Sequence, residues 1–170
     1  MRNPRNGFIL LACLTAALAV CLNLPAISPR CLSAPANPQA AAALVAEMNK
    51  SGEAAHKRAG VYLDFAFIAC YGTLLAWACV WAGRVFERHG SVPAARASSF
   101  MIGMVLATIV VDVAENVAML QLLAGATDDV WLRIVKTMGR LKFTVPALPV
   151  AHALAGLFIW TRGDRRKIAT

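Results

Sequence analysis

Four long apolar runs, separated by short segments that carry most of the charge, dominate the hydrophobic pattern of this chain. At ~1.5 Å per residue, each run reaches close to the ~30 Å hydrocarbon thickness of a bilayer. Only helices and closed barrels satisfy their backbone in lipid, and these runs lack the alternation of barrel strands. The pattern predicts an all-α, polytopic membrane protein, a single domain with a four-transmembrane-helix bundle whose spans cover residues 7–24, 60–83, 97–125 and 143–161.

Two shorter amphipathic helices are predicted between the spans. In the first connection, 25–59, a proline-rich start gives way to a helix over 39–50 that Ser51-Gly52 ends. Its apolar face could lie on the outer membrane surface or cap the bundle. It consists of Ala41, Leu44, Val45 and Met48. The second short helix precedes the fourth span, with Asp128 as its cap and Met138 near its end.

Composition supports a membrane location. The chain is 59% hydrophobic and 15% charged, whereas soluble domains carry about 25% charged residues. Arg2 and Arg5 before the first apolar run are also typical of a signal peptide, with a possible cleavage site at 34–36. The run is longer than the usual apolar region of a signal peptide, which favours a retained helix over a cleaved one.

The basic residues predict the orientation. The net charge is +8, and the short 84–96 loop and the tail Arg162–Lys167 lie close to span ends, where positive charge marks the cytoplasmic side. Both termini are therefore predicted to be cytoplasmic, and short loops with abundant alanine favour a bacterial plasma membrane. No basic patch interleaved with aromatic residues indicates nucleic acid.

The cysteines and histidines narrow the possible chemistry. None of the five cysteines forms a C-x-x-C motif, which argues against a disulfide oxidoreductase. Cys21 and Cys31 could pair if the outer compartment is oxidising. Only His152 lies within a span, which argues against bis-histidine haem. The sequence identifies no cofactor.

The third span carries two distinct helical faces. Small residues at four-residue spacing, Ser99, Gly103 and Ala107, form a ridge that could approach another helix closely. The opposite face is a polar stripe made of Thr108, Asp112, Glu115, Asn116 and Met119. The third helix is therefore expected to contact protein on both sides. An ionisable group in lipid costs at least ~2.5 kcal/mol, so these carboxylates need a partner or a role.

Depth in the membrane indicates which side chains meet this stripe. Asp64 lies about one turn into the second span, Lys142 at the start of the fourth and His152 near its middle. They are expected to converge on a polar pocket in the outer half of the bilayer. Candidate catalytic residues are Asp112 and Glu115, and candidate ligand-binding residues are Asp64, Tyr71, Asn116, Lys142 and His152.

Plainer roles exist for the same residues. The carboxylates could form structural ion pairs, Lys142 could extend to the headgroups, and His152 could be a satisfied core residue. Pro146 and Pro149 could break the fourth helix and free carbonyls towards a cavity. Alternatively, that helix starts at Pro146 with Thr144 as its cap.

Three functions remain open from the sequence. The favoured hypothesis is a pocket that binds, or acts by acid–base chemistry on, a lipid-like or small apolar ligand. The alternatives are a small proton-coupled transporter and an assembly subunit of a larger membrane complex. The chain could also form a homo-oligomer. A manganese or iron site from Asp64, Asp112, Glu115 and His152 is a weaker interpretation, because no Glu-x-x-His pair is present.

Overall fold

A computed structural model describes residues 4–28, 31–32 and 35–168 of the chain. The described residues form helices and connections without a β-strand, as predicted. Arg2 and Ala34, which entered the orientation and signal-peptide predictions, lie outside them. The helices are α1 (Pro4–Leu22), α2 (Pro38–Ser51), α3 (Glu53–Arg88), α4 (Val92–Leu123), α5 (Asp129–Thr144) and α6 (Ala147–Ile168).

Three helical segments are long and apolar enough to cross a membrane. They are Glu53–Arg88, Val92–Leu123 and Asp129–Arg162, the last of which comprises α5 and most of α6. Gly7–Leu22 is a shorter apolar helix. Phe8 packs edge-on against Trp77 with ring centroids 5.5 Å apart, and Ile27 lies directly against Gly60. Hence α1 runs antiparallel to α3.

The two ends of the bundle differ. At the cap end, which carries α2 and the α4–α5 connection 124–128, a buried apolar cluster joins α2 to α3, α4 and α5. At the turn end, residues 89–91 join α3 to α4. The cap-end cluster consists of Leu32, Val45, Met48, Ala54, Val61, Ala118, Met119, Leu122, Leu123, Leu132 and Val135.

The contacts of α2 within the described chain are those of a cap on the bundle. Its apolar face is packed on the bundle, with Ala41, Val45 and Met48 each at most 3% exposed. Asn37 caps the helix by accepting a hydrogen bond from the Ala40 backbone N–H at 2.8 Å. Gly52 separates α2 from α3 with a φ of 79°, a left-handed conformation that favours glycine. Among the described contacts, α2 therefore caps the bundle.

The helix before the fourth span is longer than predicted. It does not end near Met138 but continues to Thr144, and Asp128 makes no side-chain capping hydrogen bond. The turn at 145–146 separates it from α6, and Thr144 donates to the Arg140 carbonyl at 3.3 Å instead of capping α6. Pro146 has no backbone N–H and cannot continue the hydrogen bonds of α5, so a turn at this position costs fewer helical hydrogen bonds than a turn elsewhere.

Small residues bring the helices together, but not those that were predicted. Ser99, Gly103 and Ala107 are exposed, and a Cβ on Gly103 would find nothing within 4 Å. The expectation that α4 contacts protein on two opposite sides is therefore wrong for the described chain, because α1 packs on α3 and leaves that face of α4 uncovered. The close approaches are Gly72 against Ile109, Gly83 against Ser98 and Gly156 against Ala82.

Candidate functional site

The polar stripe of α4 faces the interior of the bundle. Asp112 is 8% exposed, Glu115 3% and Asn116 1%, and Thr108 and Met119 are also buried. Offsets of 4, 7, 8 and 11 residues from Thr108 keep these side chains on one face for about three turns. Asp112, Glu115 and the nearby Asp64 are each held by a different neighbouring side chain.

Asp112 pairs with a tyrosine of α3. The Tyr71 hydroxyl donates a hydrogen bond to Asp112 Oδ2. The second oxygen, Oδ1, is buried and has no hydrogen-bond partner among the described residues. An unsatisfied buried oxygen is unfavourable by about 1–3 kcal/mol, so its position needs an explanation. A ligand that supplies the missing hydrogen bond would provide one.

Asp64 is held by the amide of Asn116. Asn116 Nδ2 donates to Asp64 Oδ2 at 2.8 Å, which links α3 to α4. Asn116 is almost fully buried, so this amide has little access to solvent. The pair therefore fixes the direction of Asp64 at the side of the stripe nearer the cap end.

Glu115 forms an ion pair with Lys142 of α5. Lys142 Nζ lies 2.7 Å from Glu115 Oε2, and the side chains are 28% and 4% exposed respectively. Gly139 makes room for the carboxylate, since a Cβ there would lie 3.0 Å from Glu115 Oε1. The lysine side chain is partly exposed, so the ion pair is not fully enclosed by protein.

These groups line one large cavity between α1, α3, α4 and α5. It has a volume of about 1020 Å³ and is partly open, at the upper end of the ~300–1,000 Å³ typical of ligand sites. Asp64, Tyr71, Asp112, Glu115, Asn116 and Lys142 supply polar lining, and the apolar part includes Leu22, Phe67, Met119, Phe143 and Pro146. We call this space the carboxylate cavity.

His152 does not join the carboxylate cavity, so its predicted position is wrong. Its Nε2 lies 2.8 Å from Ser98 Oγ in the second turn of α4, and its ring packs on Phe86 near the end of α3 with centroids 5.0 Å apart. The reason is that α5 runs along α4 before α6 begins, and it brings Gly139 level with Glu115. Residues of α6 are consequently shifted towards the turn end.

Sequence reasoning missed part of the cavity lining. Lys136 and Arg140 both face it, as do Asn23 and Ser28 after α1. The four-residue spacing of Lys136 and Arg140 could have shown that they share a helical face, but the predicted helix ended at Met138.

Neither a metal site nor a disulfide is found among the residues that the structure describes. No group of three or more histidine, cysteine, aspartate or glutamate side chains is arranged to hold a metal ion there. With His152 at the turn end, the four residues considered for manganese or iron do not assemble. Cys21 and Cys31, considered as a pair, are both free thiols.

The chain matches no protein-family model, no curated protein and no solved structure. What the site can do follows from its own geometry. A buried carboxylic acid with one hydrogen-bonded and one free oxygen can accept or donate a proton or a hydrogen bond. Apolar side chains around it lower the local dielectric and strengthen such an interaction.

Proposed function

We propose that this chain is a multi-pass membrane protein whose carboxylate cavity binds a lipid-like or small apolar ligand and exchanges a proton or hydrogen bond with it at Asp112. The observation that carries the proposal is the unpartnered Oδ1 of a carboxylate that is only 8% exposed and lines a cavity of about 1020 Å³. Apolar walls with a few convergent polar groups are typical of ligand sites.

The neighbouring side chains have distinct roles in this proposal. Tyr71 hydrogen-bonds to Asp112 and orients its free oxygen towards the ligand. The Asp64–Asn116 pair shapes the cap-end side of the cavity and offers a further polar contact. We place proton exchange with the ligand first at Asp112 rather than at Glu115, because Lys142 already holds Glu115 in an ion pair.

The proposed topology has four crossings, with α1 as the first and α5–α6 as the last. Antiparallel packing of α1 on α3 puts the start of α1 at the turn end, where α6 also ends. The basic residues of the 84–96 loop lie at the same end, which supports cytoplasmic termini. The bacterial plasma membrane is proposed from the short loops and abundant alanine. In this orientation the carboxylate cavity lies in the outer half of the bilayer.

The test compares Asp112→Asn with the wild-type chain and with Asp128→Asn, an exposed aspartate that does not line the cavity. Each protein is purified in a neutral detergent. Copurifying apolar molecules are extracted and identified by mass spectrometry, and hexadecanol binding is then titrated. A hydrogen bond to a charged group is worth about 1.5–3 kcal/mol, so Asp112→Asn should weaken hexadecanol binding about tenfold or more. Equal binding by all three proteins would refute the proposal.

A proton-coupled transporter is the second candidate. A second polar pair, between Ser98 of α4 and His152 of α6, favours the transporter because it lies towards the turn end. A proton path would have to connect it to Asp112 past Val105, which is fully buried. Proteoliposomes carrying an internal pH dye would acidify under an imposed gradient if this candidate is correct, and His152→Gln would abolish the flux. Hexadecanol binding without proton flux would leave only the ligand-binding proposal.

A further inference from the structure

Two cations of α5 line the carboxylate cavity without a carboxylate partner. Lys136 and Arg140 are one helical turn apart and both border the cavity. The ion pairs between described residues are Arg133–Asp129 and Lys142–Glu115, and neither includes them. Lys136 Nζ does donate to the Ala36 carbonyl at 3.3 Å, which holds it near the start of α2. Two positive charges at the cavity are therefore available to a ligand.

The carboxylates of the cavity each have a described side-chain partner, which the two cations lack, but only Glu115 is paired with a charge. Asp64 accepts from Asn116, Asp112 accepts from Tyr71, and the charge of Glu115 is balanced by Lys142. The cations without a described partner thus lie on the α5 side of the cavity, whereas Asp64 and Asp112, which have neutral hydrogen-bond partners, lie on its α3 and α4 side. An anionic group on that side of the cavity would pair with both cations, whereas a cationic group there would be repelled by them.

The order of groups along the helices gives an approximate length. Gly139 lies against Glu115, which sets the register of the antiparallel helices α4 and α5. At ~1.5 Å per residue, Lys136 lies about 4.5 Å nearer the cap end than this contact and Asp112 about 4.5 Å farther from it. In the same register Arg140 lies about 3 Å and Lys136 about 9 Å from Asp112 along the bundle axis, so the two cations are centred about 6 Å from Asp112.

We propose that the ligand of the carboxylate cavity is an anionic amphiphile. Its phosphate or carboxylate group binds Lys136 and Arg140 on the α5 side of the cavity. A hydroxyl or amide group roughly 6 Å away along the bundle meets the free oxygen of Asp112, and the apolar chain lies along the cavity wall formed in part by Leu22, Phe67 and Phe143. This inference rests on the proposed ligand-binding function and adds the charge and the length of the ligand.

The test uses matched single-chain probes on the full chain in neutral detergent. Hexadecyl phosphate and hexadecanol differ only in the anionic group, and inorganic phosphate supplies that group without a chain. The variants are the double substitution Lys136→Gln with Arg140→Gln, and the control Arg133→Gln. Arg133 is an exposed residue of the same helix, is paired with Asp129, and does not line the cavity.

The wild-type chain and Arg133→Gln should bind hexadecyl phosphate about tenfold or more tightly than hexadecanol, since charge-assisted hydrogen bonds are about twice as strong as neutral ones. The double variant should bind both probes equally. Equal binding of the two probes by the wild-type chain would overturn the inference. If hexadecanol binding still depends on Asp112, the proposed function survives that result.

Two other results are informative. If inorganic phosphate binds as tightly as hexadecyl phosphate, the site recognises a free anion and the amphiphile is wrong. If neither long-chain probe binds to the wild-type protein, the proposed function fails together with the inference. Loss of the preference in Arg133→Gln would show that net charge, and not the two cavity cations, attracts the anionic probe, and would also overturn the inference.

Discussion

Replacing Lys142 with methionine is expected to destabilise the bundle strongly. Methionine keeps most of the length of the lysine side chain but removes its charge. It leaves Glu115 without its cation at a position where the carboxylate side chain is only 4% exposed. The 2.7 Å contact also connects α5 to α4, so the change acts on the packing of the segment that completes the carboxylate cavity.

The magnitude follows from the burial of the two partners. Removing one member of a buried ion pair costs about 3–5 kcal/mol, because the remaining charge is desolvated and unpaired. The Lys142 side chain is 28% exposed, so water already satisfies part of this pair and the lower end, about 3 kcal/mol, is expected. An equilibrium between folded and unfolded protein would shift by about a factor of 100.

The assay is unfolding in mixed micelles with increasing sodium dodecyl sulfate, followed by circular dichroism. The double variant Glu115→Gln with Lys142→Met removes both charges and should recover at least half of the lost free energy of unfolding, which a double-mutant cycle quantifies. Arg133→Met is the matched control because its exposed pair with Asp129 should contribute less than about 1 kcal/mol. If Lys142→Met stays within about 0.5 kcal/mol of wild type, the interpretation of the pair as a buried contact is refuted.

Two further predictions concern packing and hydrogen bonding. Gly156→Val should lower the free energy of unfolding by about 1–3 kcal/mol through overpacking, since even a Cβ would lie 2.6 Å from its neighbour on α3. Gly103→Val, with open space around Gly103, should not lower the free energy of unfolding in this way. A similar loss in both variants would contradict the overpacking explanation. Tyr71→Phe removes the described partner of Asp112 and should cost about 1–3 kcal/mol. Thr73→Val, which removes an exposed hydroxyl that bonds to its own helix, should cost less than about 0.5 kcal/mol, and equal losses would show that the Asp112 contact is unimportant.

Local patterns along the chain were sufficient to predict much of the helical architecture. The spans 60–83 and 97–125 fall almost entirely within α3 and α4, because apolar runs of that length have few alternatives to helix. The buried stripe on α4 followed from the 3.6-residue period alone. Asp64 and Tyr71, which share a face of α3, both reach this stripe.

Partners and depths could not be predicted in the same way. Whether the small-residue ridge of α4 or its polar stripe is covered depends on where α1 packs, and no local pattern in α4 contains that information. Likewise, the position of His152 depends on how far α5 extends along α4 before the turn at 145–146. Both depend on contacts between helices that are far apart in the chain.

By itself, the sequence determined which segments become apolar helices and which of their faces carry polar groups, since both properties repeat over a few residues. Only the tertiary structure decided that Lys142 pairs with Glu115, that Asp112 keeps one free oxygen and that His152 lies elsewhere. The physical reason is register: a shift of a few residues between antiparallel helices exchanges every cross-helix partner, while the pattern within each helix stays the same.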